Sequence, residues 1–246
     1  MKKLRATWRA WRAIVHVLRG LWIIRREFGR MNDAQKRLLV REWSRRMLAI
    51  LGVSLEVRGR VHGSGPLLVV ANHISWLDII VMNACQPARF VSKADAGHWP
   101  VLGALIRGAG TLFIERENRR DAMRVVHLMA ERLVDRDIVA VFPEGTTGDG
   151  RQVLPFHANL LQAAISTGAP VLPVALGYRD PVDRTISDAP LFIGDTTLLS
   201  SIWSTLCADG VLAVVHQGEP EEAHGRDRRA WARDLQDMVG RLAAEI

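Results

Sequence analysis

The stretch Leu67-Leu68-Val69-Val70-Ala71-Asn72-His73-Ile74-Ser75-Trp76-Leu77-Asp78 decides how the rest of the chain is read. It begins as an unbroken apolar run, Leu67–Ala71, and turns polar at Asn72. A short run without polar alternation fits a strand buried on both faces, the kind found in parallel sheets sandwiched between helices. His73 and Asp78 then stand five residues apart, an awkward separation on one continuous helix, where facing partners lie three or four apart. If His73 sits on a strand-to-helix turn and Asp78 in the helix that follows, the carboxylate folds back onto the imidazole. A carboxylate on one ring nitrogen fixes the tautomer and leaves the other nitrogen to accept a proton. No serine or cysteine is placed as an obvious nucleophile, so such a base would activate a hydroxyl on a substrate. The alternative is a surface histidine beside a helix-capping turn, with Ser75 as the cap.

Outward from this stretch the same kind of segment recurs. Val53–Val57 alternates apolar and polar, as a half-exposed strand does. Continuous apolar runs follow at Arg89–Ser92, Thr111–Ile114, Ile138–Phe142, Val171–Leu176 and Val211–Val215. Helical stretches intervene near Trp76–Asn83, Trp99–Arg107, Arg119–Asp135, Ala158–Ser166 and Leu198–Cys207, with Arg226–Ala244 last. The pattern predicts an α/β fold over residues 52–246, a mainly parallel sheet covered by helices. The segment 177–195, rich in Asp, Pro and Gly, reads as loop, with Leu191–Ile193 a candidate short strand. In such sheets ligands gather at the carboxyl ends of the strands. His73, Lys93, Arg116 and Glu144 each follow one of the strands, so parallel strands would bring all four to one rim.

Charge divides the chain. Residues 1–47 hold 14 Lys and Arg against 3 Asp and Glu, whereas residues 48–246 hold 19 against 23. A net excess confined to one end marks contact with something anionic. Leu4, Trp8, Trp11, Val15, Leu18 and Trp22 recur at helical spacing, and Lys2, Arg5, Arg9, Arg12, His16 and Arg19 run beside them. Tryptophans at headgroup depth, bordered by cations that meet lipid phosphates, describe a helix lying in a membrane interface. Gly29 and Asn32-Asp33 break the pattern. A second helix follows from Ala34 to Leu51, with Leu39, Trp43, Met47 and Ile50 on one face and Arg37, Arg41 and Arg45 beside it. Residues 1–51 thus read as an amphipathic two-helix membrane-docking motif, the competing reading being a helix packed on its own domain. His16 and Arg19 interrupt the run and no small-residue cleavage site follows, which argues against a signal peptide. The run is also too short and charged to span a bilayer. Aromatics on the apolar stripe suit lipid better than nucleic acid. Cys85 and Cys207 are isolated thiols without metal spacing, suited to a reducing compartment.

Taken together, the motifs resemble the glycerolipid acyltransferase family that includes the bacterial 1-acylglycerol-3-phosphate acyltransferases. Asn72–Asp78 resembles the family's first motif, and Gly110-Thr111-Leu112-Phe113-Ile114-Glu115-Arg116 its second. Phe142-Pro143-Glu144-Gly145-Thr146-Thr147 resembles the third, and Val171-Leu172-Pro173-Val174-Ala175 the fourth. The resemblance implies that His73 is the general base and Asp78 its orienting partner. It implies that Arg116 holds the acceptor's anionic head group and that Glu144, Gly145 and Thr146 belong to the acceptor site. Lys93 is either a solvated lysine or an aid to phosphate binding.

The implied reaction moves an acyl group from acyl carrier protein or coenzyme A thioester to a lysolipid hydroxyl, with no cofactor and no metal. The lead acceptor is 1-acylglycerol-3-phosphate. The chain departs from the family pattern at two places. Thr147-Gly148-Asp149-Gly150 follows where phosphatidate-forming members often carry a basic residue, and His157 stands where lysine is common. A relative that acylates lyso-ornithine lipid carries this kind of Glu-Gly-Thr-Thr-Gly-Asp-Gly segment, and Asp149 would suit the amine of that acceptor. The expected setting is the cytoplasmic face of the inner membrane, held at an anionic surface as a monotopic or peripheral protein. A non-catalytic membrane-binding or nucleic-acid-binding protein is the rival from another class.

Overall fold

A computed structural model describes residues 2–93, 97, 102–114 and 119–246; of residues 93, 102, 114 and 119–122 it describes the backbone alone. Two helices lead, α1 (Lys2–Arg26) and α2 (Asp33–Leu51), joined by a 3₁₀ turn at Phe28–Arg30. Strands and helices then alternate: β1 (Val53–Arg58), β2 (Leu67–Ala71), α3 (Asp78–Cys85), β3 (Arg89–Lys93), α4 (Leu102–Gly108) and β4 (Leu112–Ile114). After α5 (Arg119–Val134) and β5 (Ile138–Val141) come a 3₁₀ turn at Ala158–Leu161 and α6 (Gln162–Thr167). The chain finishes with β6 (Val171–Arg179), α7 (Leu198–Cys207), β7 (Val211–Gln217) and α8 (Arg228–Ala244).

The seven strands form one sheet in the order β1-β7-β6-β2-β5-β3-β4. Strands β6, β2, β5, β3 and β4 are mutually parallel. β7 is antiparallel to β6, and β1 is parallel to β7. The unbroken apolar run of β2 is explained by its neighbours. Leu67, Val69 and Ala71 pack into a core beneath α1, α2, α3 and α7, while Leu68 and Val70 pack into the opposite core under α5, α6 and α8. Successive side chains on a strand point to opposite faces, and here both faces are dry.

The helix pair packs onto this body. Ala6, Met47, Leu48 and Leu51 join the first core. Asn32 and Gln35 close a capping box at the start of α2, satisfying amides that the first turn leaves orphaned. Gly20 lets α1 approach α2, since a Cβ there would lie 2.6 Å from Trp43 Nε1. The His16 and Trp43 rings stack at 4.9 Å, and each ring nitrogen bonds the other residue's carbonyl, at 2.9 and 3.2 Å. Burial holds His16 below its ordinary pKa against the pull of that Trp43 carbonyl.

Several expectations change. The stripe Leu4, Trp8, Trp11, Val15, Leu18 and Trp22 faces outward, between 45% and 78% exposed, so the self-packed alternative does not hold for it. Its cationic border is only partly free. Arg5 bonds the Cys207 and Ala208 carbonyls and Asp209, Arg9 bonds the Leu206 and Ala208 carbonyls, Lys2 pairs with Asp209, and His16 is buried. The end of α7 is where a helix concentrates unpaired carbonyls and negative potential, and it takes these cations first. The segment 177–195 is not all loop, because β6 runs to Arg179 paired with β7, and Leu191–Ile193 forms no strand. α3 begins at Asp78 rather than Trp76. Among the described residues no helix is long and apolar enough to cross a membrane.

Candidate active site

The parallel strands β2, β5, β3 and β4 bring their carboxyl ends to one rim, as their common direction requires. His73 lies two residues past β2 and Glu144 three past β5, while Lys93 ends β3. Arg116 lies outside the described residues, and of Lys93 the backbone alone is described. β4 ends beside β3 at this rim, with Ile114 opposite Lys93.

Asn72 begins the turn. Its side-chain amide donates to the Leu176 carbonyl at 3.0 Å and accepts from the Leu176 amide at 2.7 Å. The side chain thus prolongs the β2–β6 ladder while the backbone leaves it. His73 Nδ1 lies 2.7 Å from Asp78 Oδ2. The same Oδ2 accepts the Ile74 amide at 2.7 Å and the Ser75 amide at 2.9 Å, and Oδ1 accepts the Tyr178 hydroxyl at 2.6 Å. Asp78 is fully buried, whereas the His73 side chain is 21% exposed. The four contacts occupy both oxygens of the buried side chain. Burial foremost, then the Asp78 charge and the bond to it, hold the Tyr178 hydroxyl well above its ordinary pKa, so it stays a donor. With an Nδ1–H donating to Asp78, the proton-accepting lone pair of His73 is on Nε2. The imidazole is also stacked on Phe142, ring centres 4.1 Å apart and 9° from parallel.

Glu144 meets the turn from β5. Its Oε1 accepts the His73 amide at 3.1 Å. Oε2 is buried and has no hydrogen-bond partner among the described residues. Burial raises the Glu144 pKa to about 7 against the pull of the His73 and Leu154 amides, and the nearby Asp78 charge adds to the rise. Gly145 adopts φ +73°, its amide bonding the Phe142 carbonyl at 3.1 Å. That left-handed turn strongly favours glycine. Thr146 is exposed beside it. The loop returns through Gly148, whose amide donates to the His73 carbonyl at 2.7 Å.

Ser75 is not a helix cap on solvent. It is fully buried, accepts the Leu77 amide and donates to the Pro190 carbonyl at 2.5 Å. Ser201 of α7 donates to the same carbonyl and accepts the Trp76 indole, each at 3.1 Å, and Thr147 donates to the Phe192 carbonyl. Residues 189–192 therefore strap the first and third motifs together. Neither this strap nor Tyr178 was read from the sequence; Tyr178 lies 100 positions from Asp78, and no local spacing reports such a contact. Asp149 accepts the Arg151 amide at 2.9 Å, and Arg151 pairs with Asp188 at 3.6 Å. Among the described residues no group of three or more His, Cys, Asp or Glu is arranged to hold a metal.

Residues 54–177 match the acyltransferase family model. The chain is 37% identical over 252 aligned positions to a lyso-ornithine lipid O-acyltransferase of Pseudomonas aeruginosa, covering 99% of this chain and 95% of that one. It is also 37% identical over 224 positions to a 1-acyl-sn-glycerol-3-phosphate acyltransferase of Neisseria meningitidis, covering 88% and 85%. The fold matches the crystal structure of the 1-acyl-sn-glycerophosphate acyltransferase of Thermotoga maritima with a TM-score of 0.74 at 23% identity, over 100% of this chain and 97% of that one.

Proposed function

The chain belongs to the acyltransferase family, and on that premise we propose that it esterifies the free hydroxyl of a lysolipid with a fatty acyl group from an acyl thioester of carrier protein or coenzyme A. The observation that carries the reading is the His73–Asp78 contact of 2.7 Å at the open rim of the sheet. His73 Nε2 takes the proton of the acceptor hydroxyl as its oxygen attacks the thioester carbonyl. The tetrahedral intermediate collapses, the ester forms, and the departing thiolate receives the proton held by the imidazolium. Asp78 keeps the ring in register and balances its transient charge. Glu144 fixes the His73 backbone while Gly145 and Thr146 line the acceptor side, and Lys93 and Arg116 are assigned to the anionic part of the acceptor.

The lead acceptor is 1-acylglycerol-3-phosphate, giving phosphatidate. Lyso-ornithine lipid is the second reading, favoured by the Thr147–Gly150 segment, which carries no basic residue and whose Asp149 would suit the amine of that acceptor. The outward stripe of α1 with exposed Lys3, Arg12 and Arg19 supports peripheral seating on an anionic surface, at the cytoplasmic face where acyl thioesters are made. Purified protein in nanodiscs, given labelled acyl thioester and each acceptor separately, tests the reading. Acylation of one acceptor, reduced about a thousandfold or more in His73→Ala, is the expected result. Undiminished turnover in that variant would remove His73 from the chemistry.

A further inference from the structure

α7 has two unlike faces. Ser201 and Thr205 are buried and bond the Pro190 and Ala189 carbonyls of the strap. On the other side Leu199 is 78% and Trp203 43% exposed, one turn apart and so on one face. The helix is also fixed to α1, whose Arg5 and Arg9 hold its last carbonyls. We propose that Leu199 and Trp203 form a second lipid-contact patch beside α1, so that the bilayer holds the catalytic turn through α7. The proposal rests on the lysolipid acyltransferase reading and adds to it a membrane contact outside the N-terminal helix pair.

A bilayer fits this surface better than a second copy of the chain. The neighbouring α1 presents exposed Lys3, Arg12 and Arg19 around its apolar stripe. Two such faces brought together would repel, whereas anionic headgroups neutralise them. Tryptophan with its polar edge suits headgroup depth, and Trp8 and Trp11 already stack at 5.2 Å on the outward face of α1. The consequence for the reaction is positional. The Trp76 indole bonds Ser201, and Ser75 and Ser201 share the Pro190 carbonyl. One helix therefore touches the His73 turn on its inner side and would touch lipid on its outer side, setting the height of the base above the acceptor's hydroxyl.

The test compares full-length wild type with Leu199→Ser/Trp203→Ser. Vesicles of phosphatidylethanolamine and phosphatidylglycerol carry the acceptor, and a short-chain acceptor below its micelle concentration serves as a monomeric substrate. Losing the contacts should weaken vesicle partitioning by about tenfold or more, the transfer free energy of one well-buried apolar side chain. Turnover on vesicles should fall in step, with turnover on the monomeric acceptor unchanged. Trp203→Phe with Leu199 intact should restore binding, and it guards against misfolding of the double variant. Equal partitioning of wild type and double variant would overturn the proposal. So would a change from dimer to monomer in the absence of vesicles, which would make the patch an interface between copies. A wild type that binds vesicles through this patch but transfers no acyl group would leave the contact standing and remove the acyltransferase reading instead.

Discussion

Asp78 is a carboxylate cut off from water that accepts four hydrogen bonds, from His73, Ile74, Ser75 and Tyr178. Removing it strands three of those donors in the interior, so Asp78→Ala should cost about 3 kcal/mol of stability, read from urea denaturation. Glu144 behaves oppositely. Its folded-state pKa is raised from 4.5 to about 7, so between those values the folded form holds more proton than the unfolded chain. Stability contributed by the protonated carboxyl is present at low pH and lost as pH rises through about 7. Glu144→Gln keeps an acceptor for the His73 amide and cannot ionise. Wild type should therefore lose stability relative to this variant from about pH 5 to about pH 7, with the gap constant above, as urea midpoints across that range would report.

At the scale of the element, legibility followed locality. β2 and the His73–Asp78 turn were readable because a five-residue apolar run and a five-residue spacing are both local patterns. β6 was read short because Gly177-Tyr178-Arg179 loses the apolar run, and only pairing with Val214, Ala213 and Leu212 makes it strand. Leu191–Ile193 looked extended, yet its neighbourhood serves by offering carbonyls to hydroxyls, which hydropathy cannot register. The α1 periodicity placed the outward stripe correctly but could not tell which cations the end of α7 would claim. α1 and α2 meet through Gly20, so Gly20→Val should push Trp43 aside and destabilise the protein by about 1–3 kcal/mol, measured by thermal unfolding. The same change leaves the exposed α1 stripe intact.

The whole molecule places its open sheet rim, strap and outward apolar helices on one body, with basic charge concentrated at one end. Vesicle association should then have a salt-sensitive and a salt-resistant part. Raising ionic strength from about 0.05 M to about 0.5 M screens exposed cations and should weaken binding to anionic vesicles severalfold, leaving a residue due to apolar insertion, as sedimentation with vesicles would show. Order of synthesis adds a consequence of the α1–α7 contact. Arg5 meets its partners 202 to 204 residues further along the chain, so α1 leaves the ribosome long before the carbonyls that claim Arg5 and Arg9 exist. A nascent chain therefore offers lipid a more cationic helix than the finished protein does. On the proposed seating at an anionic surface, membrane capture would come easiest during translation, and completion of α7 would then withdraw those two arginines and turn an electrostatic tether into an oriented seat.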